Sequence, residues 1–185
     1  MTRIAVVVGS TRPGRRSMQV AEWVLKRARE HGGAEFGILD VADFDLPLLD
    51  EPLPPSLGNY QRDHTKRWAA AVAGFDGFIF VTAEYNHSVP GALKNALDYI
   101  YAEWNNKAAA FVSYGSAGGV RAVENLRLIA AELQMADVRA QVALPIASDF
   151  RDYTTFTPSD AAEQALQPLF EQLISWSTAL QTLRK

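Results

Sequence analysis

Across 185 residues, 18 basic and 21 acidic side chains leave a formal net charge of −3, which argues against a general nucleic-acid binder with its basic surplus. There is no cysteine, so disulfides, thiolate catalysis, iron–sulfur clusters and cysteine-based zinc sites are excluded. The length suits one domain spanning 1–185, and a hydrophobic fraction of 48% is enough to fill its core.

Residues 4–8, Ile-Ala-Val-Val-Val, form a continuous apolar run, the pattern of a strand buried on both faces of a parallel sheet. The run is too short for a signal-peptide core and no later stretch reaches transmembrane length, so a cytoplasmic protein without a membrane partner is expected. Residues 9–17 read as a polar loop. Val20, Val24 and Ala28 then share one helical face with Ala21 and Leu25, up to the stop at Gly32-Gly33. A second strand is predicted at 36–41. The proline-bearing stretch 42–58 reads as a functional or interface-forming loop. A helix follows over 60–73, a fully buried strand over 78–81, and a helix from Pro90 to about Trp104. A fourth strand at 108–112, a long helix, a weaker strand at 138–144 and an amphipathic helix from Ser159 complete the pattern.

Strands alternating with helices predict an open α/β parallel sheet covered on both faces, and five βα units favour the order 2-1-3-4-5. Ligands of such sheets bind at the carboxyl ends of the strands. Three polar loops are expected there.

The first runs Gly9-Ser10-Thr11-Arg12-Pro13-Gly14-Arg15-Arg16-Ser17. Two glycines, three hydroxyls and three guanidiniums before a helix N-terminus supply what a phosphate dianion needs. Ser17 reads as the N-cap besides. The loop is not a P-loop, because Arg15 and Arg16 stand where Lys and Ser/Thr belong, and it lacks the dinucleotide fingerprint. A mononucleotide with a terminal phosphate remains.

The second loop carries Glu84-Tyr85-Asn86-His87-Ser88-Val89-Pro90-Gly91. Tyr85 can offer a surface to a planar ring and Asn86 a donor to its heteroatoms. Glu84 reads as a structural or dimer-contact carboxylate rather than a general acid. His87 has no partner at metal-ligand spacing, so no metal site is assigned. The third loop, Ser113-Tyr114-Gly115-Ser116 with Gly118-Gly119, lets backbone approach a ligand edge.

These three segments, with Ala92-Leu93-Lys94-Asn95-Ala96 continuing the second, resemble the NADPH-dependent FMN reductase family over roughly residues 3–135. The resemblance implies a flavodoxin-like three-layer fold, non-covalently bound FMN, and ping-pong reduction by NADPH or NADH of a small-molecule acceptor such as a flavin or quinone. It implies a homodimer or homotetramer with the site near the subunit contact. Ser10, Arg12, Arg15 and Ser17 would hold the phosphate; Glu84, Tyr85 and Asn86 would line the isoalloxazine, with Ser113, Tyr114 and Gly115 on its other edge. No catalytic side chain is assigned, because the cofactor carries the chemistry. One departure stands out: Ala83 replaces the family's proline before Glu-Tyr-Asn, which frees φ and restores an N–H. The rival is a flavodoxin-type electron carrier, but three arginines in the loop and a net charge of only −3 favour the reductase. Residues 42–58 and 99–104 are expected at the oligomer contact, being apolar or aromatic outside the inferred core.

Overall fold

The computed structural model describes residues 1–184. Five parallel strands, β1 (Arg3–Val8), β2 (Glu35–Asp40), β3 (Gly77–Ala83), β4 (Ala108–Gly115) and β5 (Ala136–Pro145), form one sheet in the order β2-β1-β3-β4-β5. The expected order is therefore observed. Side chains alternate between two cores, as the two-residue period of a strand demands. Ile4, Val6, Val8, Ile79, Val81 and Val112 face helices α1 (Ser17–His31) and α6 (Asp160–Leu180). Ala5, Val7, Phe78, Phe80 and Phe111 face α2 (Asp63–Ala73), α3 (Gly91–Asp98) and α4 (Val120–Glu132).

Three sequence expectations are corrected. Helix α3 ends at Asp98 rather than near Trp104. Its last carbonyls accept from side chains: Trp68 Nε1 donates to Ala96 O at 2.8 Å and Trp104 Nε1 to Leu97 O at 3.3 Å. Tyr99, Ile100 and Trp104 are fully buried, so these side chains belong to the core, while Ala102 is exposed and Tyr101 and Glu103 are partly exposed. Arg16, not Ser17, is the N-cap of α1, and no side chain caps that helix. The structure also adds what the sequence reading missed, a short helix α5 (Ile146–Asp149) and a two-stranded hairpin, β6 (Phe150–Arg151) and β7 (Thr155–Phe156). Gln19 Oε1 accepts from Phe156 N at 2.9 Å, and Phe156 packs on Trp23, so the hairpin is moored to α1.

At the amino ends of the strands the charged groups are paired, although Ser177 Oγ, buried beside Gly77, has no hydrogen-bond partner. Lys107 is 4% exposed; its Nζ donates to Val72 O at 3.0 Å, at the last turn of α2, and lies over the Phe78 ring. Burial pulls its pKa down to about 8. Asp76 accepts from Arg3 N at 2.8 Å and pairs with Arg184.

Candidate functional site

At the opposite, carboxyl ends of β1, β3 and β4, the chain opens a cleft. The β1–α1 loop contributes Arg12, Gly14, Arg15 and Arg16; the end of β3 contributes Ala83, Glu84 and Tyr85; β4 contributes Tyr114 and Gly115; and α5 adds Ile146. Gly9 is required behind it, since a Cβ there would stand 2.8 Å from Leu93 Cδ2. A larger open groove lies along β5 between α4 and α6. Its Arg127 is already committed to Asp137 and to Gln141 Oε1 at 3.0 Å.

The first loop delivers donors to one point. Ser17 is the first residue of α1, fully buried, and its Oγ has no hydrogen-bond partner. The first turn of this 15-residue helix has neither an acidic residue nor a side-chain cap, so its orphan amides and positive dipole end face the cleft unanswered. Among the described residues the guanidiniums of Arg12 and Arg16 make no ion pair or hydrogen bond, whereas Arg15 is spent. Its Nη1 donates to Ser10 O at 2.7 Å and to Asp40 Oδ1 at 2.9 Å, and its Nη2 pairs with Asp40 Oδ2. Ser10 Oγ and Tyr85 Oη are 2.9 Å apart, which ties the first loop to the second.

The second loop is a two-residue reversal. Tyr85 N donates to Ser88 O at 2.9 Å and Ser88 N to Tyr85 O at 3.1 Å, with Asn86 and His87 between them at φ +48° and +73°. Asn and His both enter the left-handed region more readily than most side chains, as a two-residue reversal requires. Both side chains are exposed. Glu84 does not present its carboxylate to a ring: the side chain is 4% exposed, pairs with Arg121, and accepts from Arg121 N at 3.2 Å at the start of α4. Ala83 is the buried last residue of β3, paired in register with Tyr114.

The third loop is built for closeness. Gly119 sits at φ +76°, and a Cβ there would lie 2.7 Å from Ser113 Cβ. Ser113 Oγ donates to Gly118 O at 2.7 Å inside the protein, so this hydroxyl shapes the loop rather than lining it. Tyr114 is buried against Phe150, and burial lifts its phenol to about 12, which keeps it protonated. Residues 2–149 match the family described as NADPH-dependent FMN reductase.

The chain belongs to the NADPH-dependent FMN reductase family.

It is an oxidoreductase and a flavoprotein, with FMN and NAD(P)H as its cofactors. Among the chain's relatives, an NAD(P)H-dependent FMN reductase of Nectria sp is 39% identical over 158 residues, covering 80% of this chain and 77% of that protein. A quinone reductase of Pseudomonas putida is 32% identical over 186 residues, covering 94% and 93%. In fold it is similar to the flavoenzyme NAD(P)H:(acceptor) oxidoreductase FerB of Paracoccus denitrificans, at a TM-score of 0.74 over 97% of this chain and 98% of that one, with 24% identity.

Of the ten residues expected at the site, Arg12, Arg15, Glu84, Tyr85, Tyr114 and Gly115 line the cleft. Ser10 is buried behind it and bonded to Tyr85, Ser17 is buried next to the cleft-lining Arg16, and Asn86 stands in the turn beyond Tyr85. The functional groups of Arg15, Glu84 and Ser113 point to internal partners instead. Arg121 and Ile146 were missed. Neither carries a local signal, because Arg121 finds its partner 37 residues away.

Proposed function

We propose that the protein is an NAD(P)H-dependent reductase of flavins or quinones, in which the donor and the acceptor occupy one cleft in turn, a ping-pong scheme. FMN held there would supply the redox chemistry, hydride acceptance from NAD(P)H and two-electron reduction of the acceptor. The observation that carries the reading is the unanswered charge at the head of α1. A buried, partnerless hydroxyl, an uncapped helix N-terminus and two unpaired arginines are what a phosphate dianion satisfies.

The chain's own residues then divide the work. Ser17 Oγ, Arg12 and the first-turn amides hold the phosphate; Tyr85 and the Asn86–His87 reversal wall the ring; Tyr114 and Gly115 bound its other edge. Glu84 fixes the reversal to α4 through Arg121. The quinone reductase of Pseudomonas putida supports the acceptor class.

The test is an absorbance spectrum after FMN addition and desalting, followed by anaerobic NADPH. Retained flavin that bleaches is the expected result. Retained flavin that neither NADPH nor NADH bleaches would overturn the reductase in favour of an electron carrier.

The reading includes a homo-oligomer. Between β2 and α2 the chain exposes Leu48, Leu49, Leu53 and Leu57, on a strap held by Asn95 Oδ1 at Leu49 N (2.9 Å) and by Tyr99 Oη at Asp50 (3.0 Å). Such a fastened apolar surface suits a second copy. Sedimentation at micromolar protein is expected to show more than monomer, and Leu48→Asp with Leu57→Asp to shift it toward monomer.

A further inference from the structure

Arg15 and Arg16 are neighbours in one loop, yet the fold uses them in opposite ways. Arg15 forks onto both oxygens of Asp40 and donates besides to the Ser10 carbonyl, which commits three of its five N–H donors. The pair is enclosed, with side-chain exposures of 19% and 4%. Asp40 is fixed independently, because its Oδ1 also accepts from Ala42 N at 3.0 Å and caps the turn Val41–Phe44. Turning Arg15 toward a ligand would leave a buried carboxylate without its cation, a state proteins strongly avoid.

Arg16 has no such obligation. It is half-buried, stands at the N-cap of α1 and lines the cleft beside Arg12. Among the described residues it has no ion-pair or hydrogen-bond partner. Its charge also reaches the phenol of Tyr114, where it favours the ionised form against the effect of burial.

We propose that Arg16, and not Arg15, is the second cation on the FMN phosphate beside Arg12, and that Arg15 is the brace holding the loop to the end of β2. The inference rests on the flavoprotein reading above and adds the residue that sets preference for the phosphorylated flavin. A guanidinium at the N-cap adds its charge to the dipole end of α1 and offers forked donors to a dianion. Riboflavin, which has no phosphate, would gain nothing from it.

The test titrates apoprotein with FMN and separately with riboflavin, following quenching of flavin fluorescence, for wild type, Arg16→Ala, Arg16→Lys and Arg15→Ala. Arg16→Ala is expected to raise the FMN dissociation constant about 10- to 100-fold, the range for one charge-assisted contact, and to leave riboflavin within about twofold of wild type, since it has no phosphate to lose. Arg16→Lys recovers part of the loss, because a point charge replaces a fork. Arg15→Ala weakens both flavins alike and lowers the melting temperature. An unchanged FMN constant in Arg16→Ala, or equal losses for both flavins, overturns the assignment. So does a loss confined to FMN in Arg15→Ala, which would return the contact to Arg15. If the wild type binds riboflavin and FMN equally, the phosphate site itself fails; if it binds neither, the flavoprotein reading falls first.

Discussion

The two ends of the sheet treat polar groups in contrary ways. At the amino ends of the strands, Lys107 gives its ammonium to the last turn of α2, and Asp76 is held by Arg3 N and Arg184. At the carboxyl ends, Ser17 Oγ is buried with no partner, α1 starts without a cap, and Arg12 and Arg16 are unpaired among the described residues. Folding tolerates few buried unsatisfied groups. Charged groups that are paired at the amino end serve stability, whereas the carboxyl end leaves two guanidiniums and a helix start open to a ligand. A partnerless buried hydroxyl alone is not the mark, since Ser177 Oγ is one beside Gly77 at the start of β3. The same contrast recurs within the β1–α1 loop, between Arg15 and Arg16.

Substitutions at the two ends should therefore separate affinity from stability. Arg12→Ala is expected to weaken FMN binding by about 2–3 kcal/mol, the loss of a charge-assisted contact, with the melting temperature unchanged. An affinity equal to wild type in a fluorescence titration would remove Arg12 from the ligand-facing set. Arg121→Ala strands the Glu84 carboxylate at the start of α4, although Arg121 itself is partly solvated. A stability loss of about 1–2 kcal/mol is expected, below that for a fully buried pair. Adding Glu84→Gln should recover part of it in urea unfolding; no recovery would mean that the pair is not what holds the loop.

The smallest effect at pH 7 belongs to Lys107→Met. The lost hydrogen bond and the removed burden of a buried charge oppose each other, so stability should stay within about 1 kcal/mol of wild type, with flavin affinity unmoved. The pH dependence is more telling. Folded Lys107 releases its proton near pH 8, whereas an unfolded lysine keeps it to about 10.5. Below pH 8 the penalty for the buried charge is fully present. Between those values the unfolded chain binds more protons, so this group's contribution to stability rises with pH. Unfolding free energies measured across pH 8–10.5 should climb for wild type relative to Lys107→Met; parallel curves would mean that the ammonium is not desolvated.

Much of this was legible in the sequence. Apolar runs such as 4–8 and 108–112 announced strands buried on both faces, and their alternation with helical periods gave the strand order. What escaped depended on distant partners. The end of α3 is set by indole N–H groups from Trp68 and Trp104 taking its carbonyls, which no local pattern encodes. The 150–156 hairpin turns through Asp152 and Tyr153 at positive φ, without the glycine or asparagine that usually marks such a turn. At the site, residue type and loop position pointed to Arg12 and Tyr85, which line the cleft, and to Ser10 and Ser17, which are buried beside it. The sequence reading put Arg15 on the phosphate, and its pairing with Asp40 was out of view because that partner comes from the neighbouring strand.

The contact between Ser10 Oγ and Tyr85 Oη has either hydroxyl free to donate. Each can give one hydrogen and accept others. An anion seated at the head of α1 would claim the hydrogen of Ser10, leaving that oxygen to accept from Tyr85. The bond would then point one way only. Occupancy at one pole of the cleft would thus be written into the polarity of a single bond and read by the aromatic wall at the other pole, with no backbone atom required to move.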